Sequence, residues 1–108
     1  MNTTVVGRLI KDPETKYIND NKIAEFCVAE PHPFKKDEVS FVNCKAWGKR
    51  ADHIEQFYTK GKPIIVSGHF LQEHWEKDGE KKNKWVMDVS NVQFVPRDRE
   101  EDREAAPF

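Results

Sequence analysis

The sequence predicts an all-β domain in which five strands form the sheet and a single helix lies between the third and fourth strands. Three observations favour this class. Short segments of alternating apolar and polar residues recur along the chain, as in strands with one buried face. Only residues 49–59 have apolar side chains at helical spacing. Asp78-Gly79, a dipeptide typical of tight hairpins, lies between two of the strand segments.

The first two strands are predicted at residues 3–10 and 22–29. Gly7 inside the first strand indicates a bulge or a close approach of two backbones. The second strand alternates, and Glu25 and Cys27 share one of its faces. The other face is apolar and is expected in the core: Ala24, Phe26 and Val28.

The third strand, at residues 39–47, carries the most information about function. Before it, residues 30–38 contain two prolines and are predicted to form a loop that exposes Phe34. Small residues occupy most even positions of the strand, whereas a lysine and two aromatics occupy odd ones, so the odd face is expected to meet solvent. Exposed apolar surface of this kind usually marks a binding site. The residues concerned are Phe41, Lys45 and Trp47.

The helix at 49–59 is expected to end near Lys60-Gly61. Its apolar stripe consists of Ala51, Ile54, Phe57 and Tyr58. The fourth strand is predicted at 63–71 and the fifth at 85–95, joined by a long hairpin. A break in the alternation near Ser90-Asn91 indicates a bulge in the fifth strand. Three further aromatics are expected in the core: Phe26, Trp85 and Phe94.

This order of elements is that of an OB-fold, a partly open Greek-key barrel that commonly binds oligonucleotides or oligosaccharides along one face. The barrel is assigned to residues 1–96, and residues 97–108 are expected to form a short disordered acidic tail. The tail has three arginines against five carboxylates, hence −2, which leaves +1 for the other residues. Any nucleic-acid site on the barrel has to come from local arrangement, since bulk charge does not supply it.

Patterns that carry catalysis are missing from the sequence. It has no glycine-rich phosphate loop, no nucleophile elbow and no cluster of metal ligands. Cys27 and Cys44 complete neither a disulfide framework nor a zinc site and are expected to be reduced core or strand residues. We therefore expect no enzymatic activity, no cofactor and no metal. No apolar run is long enough to span a membrane and no signal peptide is recognisable, so the cytoplasm is the expected compartment.

Aromatic side chains interleaved with lysines indicate a site for single-stranded nucleic acid. Such sites stack bases on aromatic rings and hold phosphates in a positive groove. Trp75 lies near the base of the predicted hairpin, which also contains several lysines. With the loop and the third strand it completes the candidate set of stacking residues: Phe34, Phe41, Trp47 and Trp75.

Four segments resemble, in order and spacing, the bacterial and phage single-stranded DNA-binding proteins: "VVGRLIKDPETKY", "FVNCKAWGKRADHI", "KGKPIIVSGHF" and "WVMDVSNVQF". The resemblance implies an OB-fold, usually assembled as a homotetramer, with a dimer as the alternative. It also implies binding and protection of single strands without strong sequence preference in replication, recombination and repair, in the nucleoid.

The resemblance further implies roles for single residues. The stacking aromatics of the family match the four candidates given above. The matching phosphate contacts are Arg8, Lys16, Lys45, Lys49, Lys62 and Lys77. In this family an acidic stretch that ends in Pro-Phe binds partner proteins of replication and repair. The matching residues are Glu100, Glu101, Asp102, Glu104, Pro107 and Phe108.

A second function stays open at this point. The same apolar face could dock a protein, in which case the chain is an assembly subunit of a primosome or recombination complex with weak or no binding to single strands. Binding of oligonucleotides discriminates between the two functions.

Overall fold

A computed structural model describes residues 2–95 of the chain. These residues form six strands and one helix. The elements are β1 (Asn2–Leu9), β2 (Glu14–Ile18), β3 (Asn21–Pro31), β4 (Val39–Trp47), α1 (Lys49–Phe57), β5 (Pro63–Lys77) and β6 (Glu80–Gln93).

The strands form one sheet that closes into a barrel. Their order is β1-β5-β6-β4-β3-β2. Near its end β1 also pairs with β3, where Arg8 lies opposite Ala29, and this second pairing closes the barrel. The helix α1 lies between β4 and β5, which correspond to the third and fourth strands expected from the sequence. The predicted fold class is confirmed.

β2 is the strand that the sequence analysis did not predict. It pairs with the first part of β3 through a turn at Asn19 and Asp20, whose φ angles are 50° and 69°. Most of its side chains are exposed and none is buried. Because β2 buries no face, its sequence lacks the apolar alternation that reveals a half-buried strand.

The hairpin of β5 and β6 extends further than predicted. β5 continues to Lys77, and the turn at Asp78 and Gly79 has φ angles of 53° and 79°. Two left-handed residues match the twist of the strands, so pairing continues up to the turn. We call residues 71–85 the arm, because nearly all of their side chains are exposed.

Two other strand features bear on the sequence expectations. Ser67 pairs with Asn91 and Gly68 pairs with Val89, which leaves Ser90 as an extra residue and confirms the bulge. β3 continues to Pro31, so the loop before β4 begins after residue 31, whereas it was predicted to begin at residue 30.

The core lies inside the barrel and is built from the apolar faces of its strands. The expected inner faces of β3 and β4 are confirmed, since Ala24, Phe26, Val28, Cys44 and Ala46 are buried. Two glycines let strands approach closely. A Cβ at Gly7 would collide with the carbonyl of Ala29, and one at Gly68 with the carbonyl of Asp88.

Three aromatics expected to be buried are exposed instead: Phe57, Trp85 and Phe94. Phe94 follows the end of β6 and packs on Tyr58, His53 and Phe57, with its ring centroid 5.3 Å from that of Tyr58, yet its side chain stays half exposed. Trp85 lies in the arm, beyond the barrel walls that would cover it. Trp85 and Phe94 continue the apolar pattern of β6 beyond the residues that the core covers.

The helix α1 is attached to the β2–β3 hairpin by polar contacts. The apolar residues Ala51 and Ile54 are buried against the barrel. On the outside, the Lys22 ammonium donates to the carboxylates of Asp52, at 2.7 Å, and Glu55. These hydrogen bonds raise the pKa of Lys22. The contacts fix α1 at the end of β4, where the candidate site begins.

Both cysteines are buried and unpaired, as expected. Burial raises the pKa of Cys44 to about 12. At pH 8 the Cys44 thiol therefore stays protonated and unreactive, because only the thiolate form of a cysteine is a nucleophile.

We expect iodoacetamide at about pH 8 to leave Cys44 unlabelled in the folded protein and to label both cysteines in urea. Mass spectrometry of the peptides checks this. Rapid labelling of Cys44 in the folded protein would contradict the burial.

Candidate nucleic-acid interface

The outer face of β4 presents large aromatics to solvent. Phe41 is 64% exposed and Trp47 is 40% exposed. The cause is the order of side chains in the strand: Cys44 and Ala46 are small enough to fill the narrow space inside, and alternation then directs the odd residues outward.

Neighbouring strands extend this face, because residues directly opposite in antiparallel strands share a side of the sheet. Ala29 of β3 lies opposite both Phe41 and Arg8, so these three side chains form a row across the sheet. At the other end of β4, Trp47 lies opposite Ile23. We call this surface the aromatic face, defined by Arg8, Ala29, Phe41, Asn43, Lys45, Trp47 and the arm residues Glu73 and Trp75.

Phe34 lies on the loop between β3 and β4 and is 90% exposed. The loop is held by His32. Its Nδ1 atom accepts the backbone N–H groups of Phe34 and Lys35, both at 3.0 Å. His32 therefore fixes the backbone that presents Phe34 to solvent. No sequence pattern indicates this role, because a lone histidine in a loop has no characteristic spacing.

The arm carries two exposed tryptophans on opposite sides. Trp75 is 43% exposed, and the Lys84 ammonium lies 5.9 Å from its ring centroid. By alternation along β5, Trp75 is on the same side as Glu73, which contacts Lys45 of β4. Trp85 is 52% exposed and lies opposite Gln72, on the other side of the arm. Only Trp75 therefore belongs to the aromatic face.

Two of the six expected phosphate contacts are already paired with carboxylates. The Lys45 ammonium lies 2.6 Å from Glu73 and 3.9 Å from Glu25. Glu25 also binds Lys16, at 2.9 Å, and that hydrogen bond lowers the pKa of Glu25. We call Lys16, Glu25, Lys45 and Glu73 the charge network.

The other four expected phosphate contacts differ in whether their charged groups already donate a hydrogen bond within the protein. The Lys62 ammonium donates to the carbonyl of Phe57, at 2.7 Å, and caps the end of α1. Arg8 donates to the carbonyl of Gly61, at 2.9 Å. Arg8, Lys49 and Lys77 are exposed, and none of them forms an ion pair within residues 2–95.

Among residues 2–95, no three His, Cys, Asp or Glu side chains lie together as a metal site would require. In this part of the chain no helix is both long and apolar enough to cross a membrane.

A closed β-barrel with a helix between β4 and β5 is an OB-fold, and its exposed aromatic face is typical of oligonucleotide-binding members of that fold. The model of the Single-strand binding protein family matches residues 1–95. The chain belongs to this family. The relatives are named as DNA-binding proteins, a class without enzymatic activity, which confirms the expectation that the chain is not an enzyme.

Curated relatives agree with this assignment. The chain is 36% identical over 99 residues to a single-stranded DNA-binding protein of Clostridium perfringens, covering 88% of this chain and 66% of the relative. It is 35% identical over 95 residues to that of Staphylococcus epidermidis, covering 84% and 72%. It is 31% identical over 117 residues to that of Aquifex aeolicus, covering 96% and 80%. The chain thus spans just under two thirds of the Clostridium perfringens protein.

Proposed function

We propose that this chain binds and protects single-stranded DNA, without catalysis and largely without regard to sequence. The observation that carries the proposal is the exposure of Phe41 and Trp47 on one face of β4, beside Phe34 and Trp75. Each of these rings would stack on a base. Arg8, Lys49 and Lys77 would contact phosphates, since they are exposed and without carboxylate partners within residues 2–95.

Titration with dT oligonucleotides of increasing length tests the proposal. Stacking should quench tryptophan fluorescence, and affinity should fall as salt rises, because phosphate contacts release counterions. Equal affinity for duplex DNA of the same length would contradict it, since paired bases cannot reach the rings. Absence of any binding would favour the protein-docking alternative.

The cellular role and the assembly are part of the same proposal. We infer action in replication, recombination and repair, in the cytoplasm at the nucleoid, as a homotetramer. The family resemblance supports the tetramer. Native mass spectrometry should show four times the chain mass of 12.7 kDa. A monomer at micromolar concentration would contradict the assembly.

The acidic residues near the end of the printed sequence lie outside the described residues. We propose that Glu100, Glu101, Asp102, Glu104, Pro107 and Phe108 bind replication and repair proteins. An apolar pocket with a basic rim would hold such a segment. Deleting residues 105–108 should abolish binding of those proteins and leave the affinity for dT oligonucleotides nearly unchanged. Partner binding that survives the deletion would contradict this role.

His32→Ala should lower the affinity for dT oligonucleotides about two- to fivefold, equivalent to about 1 kcal/mol or less for a lost hydrogen-bonding acceptor. The reason is that Phe34 loses the fixed loop that presents it. His32→Asn should retain most of the affinity, because its side-chain oxygen can accept the same N–H groups. Fluorescence anisotropy measures both variants. If His32→Ala also weakens binding when Phe34 is already alanine, the effect does not act through Phe34.

A further inference from the structure

The charge network occupies the middle of the aromatic face. Lys45 lies between Phe41 and Trp47 on the outer side of β4, and Glu25 of β3 is its cross-strand neighbour. Glu73 reaches Lys45 from the arm, and Lys16 reaches Glu25 from β2. Four strands thus contribute two cations and two carboxylates to the surface where the proposed function requires a DNA strand.

Each lysine of the network already contacts a carboxylate. The Lys45 side chain is mostly covered, and its ammonium contacts Glu73 at 2.6 Å and Glu25 at 3.9 Å. A phosphate that approached Lys45 would have to displace a carboxylate held at hydrogen-bond distance. The displaced carboxylate would then repel the phosphate. These lysines therefore offer little net attraction to a nucleic-acid backbone.

Three cations without carboxylate partners among residues 2–95 lie at the edges of the same face. Lys49 follows Trp47 at one end of β4, and Arg8 shares the cross-strand row of Phe41 towards the other end. Lys77 lies at the tip of the arm, next to the turn. Around Glu25 and Glu73 the middle of the face pairs its lysines with carboxylates, apart from Lys84, which lies opposite Glu73 near the ring of Trp75. The three cations at the edges have no carboxylate partner within residues 2–95.

We propose that Glu25 and Glu73 determine the path of a bound strand, by keeping phosphates off the middle of the aromatic face and towards the cations at its edges. Bases then lie over Phe41 and Trp47, and Lys16 and Lys45 make no phosphate contact. This inference rests on the proposed binding of single-stranded DNA. It replaces the expectation, drawn from the family resemblance, that both lysines contact the backbone.

The test is a double-mutant cycle of Lys45→Met and Glu73→Gln, with dT oligonucleotide affinity measured between about 50 and 200 mM salt. In the otherwise unchanged protein, Lys45→Met leaves Glu73 without its cation, so repulsion should lower affinity by about two- to fivefold. The salt dependence should not become shallower, because no phosphate contact is lost. Glu73→Gln should raise affinity about three- to tenfold. It should also steepen the slope of log affinity against log salt by about 0.7, the value for one added phosphate contact on a single strand.

Adding Lys45→Met to Glu73→Gln should remove both the gain and the added slope, because the freed lysine is their source. Asp52→Asn is the charge-matched control. It removes one carboxylate from α1, while Lys22 keeps Glu55 as its partner. It should raise affinity less than twofold with no change of slope. Lys45→Gln, which can still donate to Glu73, serves as a second variant if Lys45→Met unfolds.

Two outcomes would overturn the inference. One is a tenfold loss of affinity with a shallower salt slope for Lys45→Met in the otherwise unchanged protein. The other is a gain for Glu73→Gln no larger than that for Asp52→Asn. Failure of the unchanged protein to bind dT oligonucleotides is a separate result, which would refute the proposed function and this inference with it.

Discussion

Replacing Phe41 and Trp47 together with alanine should reduce the affinity for dT oligonucleotides by at least about 30-fold. Each base stacked on an aromatic ring contributes about 1–3 kcal/mol, so two lost stacks remove about 2–6 kcal/mol. Phe41 is mostly exposed, but Trp47 is only 40% exposed and lies opposite the buried Ile23, so the double variant should also unfold at a somewhat lower temperature, and affinity is compared well below that midpoint. Anisotropy of a fluorescein-labelled oligonucleotide is the suitable measurement, because it does not depend on the tryptophan that is removed.

Trp85→Ala is the matched control for this prediction. Trp85 is also an exposed tryptophan, but it lies on the side of the arm that faces away from Trp75. Trp85→Ala should change the affinity for dT oligonucleotides by less than about twofold relative to the unchanged protein, as expected for a residue outside the contact surface. If Trp85→Ala weakens binding as much as the double variant, the strand follows a different surface and the aromatic face is wrongly assigned.

Gly7→Ala should lower the free energy of unfolding by about 3 kcal/mol, the upper part of the usual range for overpacking. The new methyl group would overlap the carbonyl oxygen of Ala29 and a methyl of Val28. The carbonyl belongs to backbone within the sheet, so it cannot rotate away as a flexible side chain could. Thermal unfolding followed by circular dichroism should show a midpoint lower by about 12 °C or more.

Gly79→Ala separates this collision from the general effect of replacing a glycine. A Cβ at Gly79 meets no atom within 4 Å, and only its φ of 79° opposes the substitution. A left-handed conformation costs about 1–2 kcal/mol for an L residue. If Gly7→Ala and Gly79→Ala lower the free energy of unfolding equally, β1 and β3 lie farther apart at Gly7 than they do in the structure.

The sequence predicted those parts of the fold that bury one face. β4 was predicted with its observed bounds, because small inward residues alternate with large outward ones. β2 buries no residue and left no pattern to read. Trp85 looked like a core residue, since alternation alone does not tell where the barrel ends and the arm begins.

The site was predictable in its aromatic part and not in its charges. Exposure of Phe41 and Trp47 follows from the phase of a single strand, which the sequence contains. The pairing of Lys45 with Glu73 joins residues 28 positions apart on different strands. Such a contact depends on where closure of the barrel places β5 relative to β4, and no local spacing encodes it. A lysine that is a plausible phosphate ligand by sequence is therefore already paired with a carboxylate in the fold.

The pairing of β1 with β5 has a consequence for how the protein is made. Thr4 and Ser67, whose hydroxyls lie 2.9 Å apart across these strands, are separated by 63 positions in the chain. During synthesis β1 leaves the ribosome before β5 and lacks this partner until β5, residues Pro63–Lys77, has emerged. Closing so long a loop before any stabilising contact forms is slow, so we expect folding in milliseconds to seconds, limited by barrel closure.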